Sequence, residues 1–232
     1  MPQNEKKPWL TFDCYDTLVR YTESKSSAFT EIIISKGADQ KIVGEGWSIF
    51  ESSERKLQAG SFLPLHQILQ RSLRTAIEEI GLNCIQDDEV KMLEAVKKAP
   101  PFPDVNSTLI DLKRDYRLAI LSNSETDIIG FNIASIGVTF DAVVLAAEAK
   151  CYKPASGMFK ELIKRIDEVP GNITHIAQSF YHDMRTAKDL GFGRRLWINR
   201  YNKKGDAAYK PDAELPDLSE VKSTLEQLRE LD

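Results

Sequence analysis

The sequence predicts an α/β fold, a parallel sheet whose strands are joined by helices, with a block of helices inserted after the first strand. Three observations carry this. Short apolar runs alternate with helical patterns through the second half of the chain. Each run ends in small or polar residues, as strands do that deliver groups to one sheet edge. Residues 22 to about 99 break the alternation with four helical patterns in succession.

The first run is "WLTFDCYDTLV", residues 9–19, which is apolar up to Asp13 and then places Tyr15, Asp16 and Thr17 before the apolar character resumes. Later strands are predicted in "YRLAILSNS" (116–124), "FDAVVLAAE" (140–148), "ITHIAQSF" (173–180) and "RRLWINR" (194–200). Helical patterns lie between them at 125–137, 156–169 and 184–192. Strand, polar tip and helix in repetition imply right-handed crossovers and chemistry at the carboxyl ends of the strands. The inserted block reads as amphipathic helices within 26–37, 44–58, 63–81 and 86–99, punctuated by Gly60 and Gly81. "APPFPD" at 99–104 reads as the hinge on which the chain returns to the sheet. The division expected is a core of residues 1–21 and 100–232 with a helical cap of 22–99. Residues 201–217 are polar and Pro-punctuated, and a terminal amphipathic helix follows.

The 232 residues suffice for a sizeable core. Thirty-one basic against 35 acidic residues leave a net charge of −4, no footprint for nucleic acid or an anionic membrane. No apolar stretch approaches the ~20 residues of a membrane span, and "MPQNEKKPW" lacks the apolar segment of a secretory signal. Three cysteines, Cys14, Cys84 and Cys151, without CxxC spacing are expected as reduced thiols in a cytoplasm.

Four strand tips carry polar groups that ordinary turns do not need. They are Asp13, Tyr15 and Thr17; Ser122, Asn123 and Ser124; Lys153 in "YKPASGMF"; and Gln178, Ser179, His182 and Asp183 in "AQSFYHDMRTAK". A parallel sheet brings all four to one edge. Asp13 is then a candidate nucleophile, since a carboxylate is already ionised at neutral pH and needs only orientation and a nearby cation such as Lys153. Taken singly, Asp13 and Ser122-Asn123 also suit helix caps, and His66 and His175 read as packing residues.

In their order along the chain these motifs resemble the haloacid dehalogenase (HAD) superfamily: "DCYDT" the nucleophile loop, "LSNS" the second motif, "YKP" the third and "AQSFYHD" the fourth. The resemblance implies a Rossmann-like HAD core with a cap inserted after the first strand, and a covalent role for Asp13. HAD phosphatases carry a second Asp where this chain has Tyr15, and usually an acid where it has Gln178. The D-x-Y-x-T form instead resembles the 2-haloacid dehalogenases, in which Asp displaces halide through an ester that water then hydrolyses.

That resemblance implies Asp13, Thr17, Lys153 and Asp183 as catalytic residues. It implies a substrate site of Tyr15, Trp47, Ser122, Asn123, Gln178, Ser179 and Phe180, acting on a small carboxylate such as an (S)-2-haloalkanoate. The family's halide-gripping Arg follows a cap Trp, whereas Trp47 precedes Ser48 here. Arg20 is the first cation expected to replace it and Arg55 the second. No metal or other cofactor is expected. A Mg²⁺-dependent phosphatase with a degenerate site, using Asp13, the Tyr15 carbonyl and Asp183, stays open, as does a non-catalytic binding protein. Neither nucleic acid nor membrane is expected as a partner, and the resemblance leaves a homodimer open.

Overall fold

The computed structural model describes residues 7–230. Six strands form one wholly parallel sheet in the order β3-β2-β1-β4-β5-β6. They are β1 (Trp9–Phe12), β2 (Arg117–Ser122), β3 (Ala142–Leu145), β4 (Ile173–Ala177), β5 (Arg194–Ile198) and β6 (Ala213–Leu215). β1 is central, with Thr11 in register with Ala119 of β2 on one side and His175 of β4 on the other. The strand order reverses direction between β1 and β4, and a crevice opens at the carboxyl ends of strands flanking such a reversal. β1 and β4 are buried along their whole length. That burial explains why they read as continuous apolar runs rather than as alternating ones.

Four helices follow β1, as the helical patterns predict: α1 (Tyr21–Ser35), α2 (Gln40–Ala59), α3 (Leu65–Glu79) and α4 (Gln86–Lys97). Gly46 sits where α2 crosses close to α1, since a Cβ there would meet Phe29 and Ile80 at 3.0 Å. Core packing runs without a break from these helices into the sheet. Phe29, Phe50 and Leu73 share one buried cluster with Phe12, Ile120 and Ile176, while Ile68 of α3 joins a second with Ala119 and Phe159.

The remaining helices are α5 (Val105–Leu112), α6 (Thr126–Ile136), α7 (Ala146–Ala149), α8 (Ser156–Ile166), α9 (Arg185–Asp189) and α10 (Val221–Arg229). Three local expectations are corrected. "FDAVVLAAE" is strand only to Leu145, after which the alanines form α7, consistent with alanine's high helix propensity. The helix expected from 184 is preceded by a π-helical turn, Phe180–Met184, capped by the Ser179 hydroxyl. The polar stretch 201–217 contains β6, which pairs with β5.

Candidate active site

The ends of β1, β2 and β4 and the loop between α7 and α8 meet in one buried polar cluster. Asp13 follows β1 directly, and its backbone N–H donates to the carbonyl of Ile176 in β4, 3.1 Å away. The chain then turns through Asp16, held in the left-handed region at φ 59°. The Asp16 carboxylate accepts from the Thr22 amide at 2.9 Å and from the Thr22 hydroxyl, tying the loop to the first turn of α1. The Thr17 hydroxyl donates to Asp13 Oδ2 at 2.7 Å and accepts from the Gln178 amide at 2.9 Å. The nucleophile loop and the β4 tip are thereby stitched together.

Lys153 lies across this junction. Its Nζ donates to Asp13 Oδ1 at 2.8 Å, Asp183 Oδ1 at 2.7 Å and the Leu121 carbonyl at 2.9 Å. All three ammonium protons are thus used, and all three side chains are at least nine-tenths buried. Such a cluster is tolerated only because each charge has an opposite partner and a full set of hydrogen bonds. Burial pushes the Asp13 carboxyl above the ordinary range, outweighing Lys153 and Thr17. Burial would also raise Asp183, but Lys153 and the His175 hydrogen bond prevail and hold it down at about 2. For Lys153 burial opposes the charge, yet the two carboxylates outweigh it and the pKa rises. Lys153 draws the Asp13 carboxyl down, as expected, but burial outweighs it, and of the two carboxylates sharing the ammonium Asp183 is the one held low.

The cluster opens into a cavity of about 270 Å³ between the cap helices and the strand tips, lined by Asp13, Tyr15, Asn123, Lys153, Gln178, Ser179 and Asp183. Tyr15 stacks on Tyr21 with 3.9 Å between centroids, and its hydroxyl shares a 2.6 Å hydrogen bond with Ser124. The Asn123 side chain donates to the Lys153 carbonyl at 3.1 Å and accepts from the Lys153 amide at 2.6 Å. It therefore orients the lysine backbone as well as facing the cavity.

Four expected substrate contacts lie elsewhere. Arg20 pairs with Glu23 at 3.3 Å and lies over the Phe102 ring, outside the cavity lining. The i,i+3 spacing of Arg20 and Glu23 offers the guanidinium a nearer anion than any in the cavity. Trp47 stacks on Phe50 at 5.4 Å and meets the edge of Phe29, so it packs within the cap helices. Phe180 sits edge-on to Trp197 at 4.9 Å. The hydroxyl of Ser122 is fully buried without a protein partner and does not line the cavity. Arg55, the second cation expected, does line it.

Several lining residues escaped the sequence reading. Lys25 of α1 and Glu54 of α2 form a buried 2.6 Å ion pair on the cap side, with the Lys25 ammonium 4.9 Å from the Tyr21 ring and 5.4 Å from that of Phe50. His182, which the sequence places with Gln178, Ser179 and Asp183, lines the cavity with Nδ1 2.9 Å from the Ser179 hydroxyl, and burial lowers its pKa, which favours the neutral ring. His175, read as packing, places Nε2 2.9 Å from Asp183 Oδ1. Among the described residues no helix is long and apolar enough to cross a membrane.

Comparison with known proteins fits this geometry. The chain is 26% identical over 205 residues to haloacetate dehalogenase H-2 of Moraxella sp. (strain B), covering 83% of this chain and 85% of that protein. It is 26% identical over 182 residues to (S)-2-haloacid dehalogenase 1 of Pseudomonas sp. (strain CBS-3), covering 77% and 79%. The fold superposes on L-2-haloacid dehalogenase from Xanthobacter autotrophicus with a TM-score of 0.80, at 19% identity over 95% of this chain and 99% of the other. A family model described as haloacid dehalogenase-like hydrolase matches residues 9–191, and with its four motifs gathered at the ends of a parallel sheet the chain belongs to that family of hydrolases.

Proposed function

We propose that this hydrolase cleaves the carbon–halogen bond of a small 2-haloalkanoate, as an (S)-2-haloacid dehalogenase does, with Asp13 as nucleophile. The observation that carries the reading is the Lys153 ammonium set between Asp13 Oδ1 and Asp183 Oδ1. One carboxylate of that pair attacks and the other, held ionised at about pKa 2, assists water. A carboxylate oxygen of Asp13 attacks the α-carbon from the side opposite the halogen, forming an ester and releasing halide. Thr17 and Lys153 hold the carboxylate in line for that attack, the orientation on which such displacements depend. Water then adds to the ester carbonyl carbon of Asp13. The alkyl C–O bond of the substrate survives, the acyl C–O bond breaks, and a 2-hydroxy acid leaves. Halide departs without a proton, so the tyrosine at position 15 in place of a general acid costs the reaction little.

The cap-side cation for the halide is Arg55, because Lys25 is already neutralised by Glu54. Helices α1–α4 act as the cap, closing the cavity from which water must be excluded during displacement. Cys14, Cys84 and Cys151 are free thiols, which supports a cytoplasmic site of action.

A divalent metal fits these residues poorly, which supports a reaction without a cofactor. Asp13 Oδ1 and Oδ2 accept from Lys153 and Thr17, and Asp183 Oδ1 accepts from both Lys153 and His175. Asp183 Oδ2 is the one carboxylate oxygen of the pair without a hydrogen-bond partner, and position 178 offers an amide. One spare anionic oxygen beside an ammonium is a weak match for Mg²⁺, which prefers an octahedral oxygen shell.

The test is halide release from 2-chloropropionate and homologous acids with chelator present, combined with a single turnover in heavy-oxygen water. Halide release insensitive to chelator, with label entering the peptide that bears Asp13, is expected. Phosphate release from small esters that requires added Mg²⁺, without halide release, would move the assignment to a phosphatase. Neither activity, and no label, would make the chain a binding protein.

A further inference from the structure

His175 occupies the middle of β4, completely buried, where the strand pattern calls for an apolar residue. Its imidazole is engaged at both ends. Nε2 lies 2.9 Å from Asp183 Oδ1 and Nδ1 lies 2.8 Å from the Thr11 hydroxyl. Thr11 is its register partner on β1, so the sheet itself sets the spacing. The rings of Phe159 and Phe192 meet the imidazole edge-on at 5.5 and 6.0 Å and prevent it from swinging. A carboxylate only accepts, so Nε2 carries the proton of the Asp183 contact.

The consequence falls on Asp183. Its Oδ1 accepts two hydrogen bonds, from Lys153 and from His175, while its Oδ2 is buried and has no protein partner. Without the imidazole, a carboxylate held by Lys153 alone is free to turn about its Cβ–Cγ bond and present either oxygen to the ammonium.

We propose that His175 is a positioning residue for the second half of the reaction: by occupying Oδ1 it reserves Oδ2 of Asp183 to accept a proton from the water that hydrolyses the ester on Asp13. This rests on the ester mechanism proposed above. In that step the water oxygen bonds to Cγ of Asp13 and one water proton passes to Asp183 Oδ2. The bond from Cγ to the substrate oxygen then breaks, and the departing oxygen takes that proton from Asp183 as the hydroxyl of the product. The remaining proton goes to solvent, and both carboxylates are regenerated. Formation of the ester needs no proton acceptor, so His175 acts on one half-reaction only.

The experiment compares the wild-type enzyme, His175→Leu, His175→Gln and Thr11→Val by rapid-quench halide release and intact-protein mass spectrometry with 2-chloropropionate. The His175→Leu chain is expected to release about one halide per site at a near-wild-type rate. It should then turn over at least roughly tenfold more slowly, less than the roughly hundredfold or more that general-base assistance itself contributes because Asp183 is still present, with the Asp13 adduct accumulating. In His175→Gln the side-chain amide again donates to Asp183 and most of the steady-state rate should return. Thr11→Val, which loosens the ring without removing it, should show a smaller lag of the same kind and covers the case in which His175→Leu does not fold. Burst and steady state falling together, with no adduct, would overturn the proposal and leave His175 a packing residue, as would an unaltered enzyme. A wild-type enzyme that releases no halide from any 2-haloacid would instead overturn the reading on which the proposal rests.

Discussion

The ammonium of Lys25 lies 2.6 Å from Glu54 Oε2 inside the cap helices, on the wall of the cavity that faces Asp13. A buried ion pair adds little net stability, but removing one partner strands the other charge at a cost of about 3–5 kcal/mol. Lys25→Met should therefore lower Tm by roughly 6–20 °C. The double change Lys25→Met with Glu54→Leu should recover most of that loss, since two apolar side chains would join Phe50 and Trp47. Thermal unfolding of both variants checks this, and a double variant no better than the single one would mean that the pair holds the helices in register.

Asp13 is expected to be indispensable. Asp13→Asn presents a neutral amide of the same shape, and turnover should fall by at least about a thousandfold, the scale of losing a covalent nucleophile. Halide release and the mass of the protein after incubation decide it, because slow hydrolysis of the amide back to Asp would appear as a gain of about one mass unit.

The pH dependence follows from the unequal sharing of Lys153. Asp13 attacks only when ionised, and burial raises its pKa, so kcat/KM should fall on the acid side through a limb above the ordinary carboxylate range. Asp183, held at about 2, stays ionised across that limb and does not contribute to it. The two groups have opposite effects on folding. The depressed Asp183 adds stability that is present above its unfolded pKa and is lost as pH falls toward 2, whereas the raised Asp13 costs stability once ionised. In Lys153→Met the cation that lowers Asp13 is gone, and the acid limb should move further up. An unmoved limb would place the titration on another group.

What was legible in the sequence was the delivery of groups, because strand tips in a parallel sheet must converge and acids there have no packing role. Asp13, Thr17, Lys153 and Asp183 stand out on that ground and lie within one hydrogen-bonded cluster. What was not legible depends on partners distant in sequence. Lys25 stands among polar neighbours in "YTESKSS" and looks like a solvated residue, since nothing local announces Glu54 on the next helix. His175 satisfies an apolar strand pattern as well as any packing residue would, and its bond to Asp183 exists only once the π-helical turn brings the acid back over β4. β6 is three residues long, too short to show a period. Arg20, just beyond the nucleophile loop, reads as a cavity cation, yet Glu23, three residues on, offers the closer anion.

Arg200 offers a test of positioning from outside the cavity. Its guanidinium grips Asp104 with two hydrogen bonds of 3.1 and 2.7 Å, donates to the Thr17 carbonyl at 2.9 and 3.2 Å, and lies 3.9 Å over the Phe102 ring. It thus ties the segment returning from the cap helices to the residue whose hydroxyl holds Asp13. Arg200→Ala should lower kcat by about ten- to a hundredfold, the scale of a misplacement near 1 Å, with a much smaller change in KM. Arg200→Lys should recover little, because one ammonium cannot reproduce the planar fork. A variant that raises KM at constant kcat would place Arg200 in substrate binding instead.

The departing group is the last question, and Arg55 is the residue on which it turns. An anion leaving into the cavity meets the carboxylates of Glu54 and Asp16 as well as Arg55, and an unpaired charge is costly in such a space. Lys25 is held by Glu54 and Lys153 by Asp13 and Asp183, and Lys203, the remaining lining lysine, lies over the Tyr201 ring. If Arg55 receives the halide, Arg55→Gln should slow chloride displacement by about tenfold or more, below the full effect of a buried oxyanion donor because the side chain is partly open to solvent. The loss should shrink from chloride to bromide to iodide, since the better leaving group develops less demand for stabilisation. Inhibition by added bromide should weaken in parallel, and Arg55→Lys should recover part of both effects. Rates that fall equally for all three halogens, with bromide inhibition unchanged, would show that Arg55 shapes the cavity without holding the leaving group.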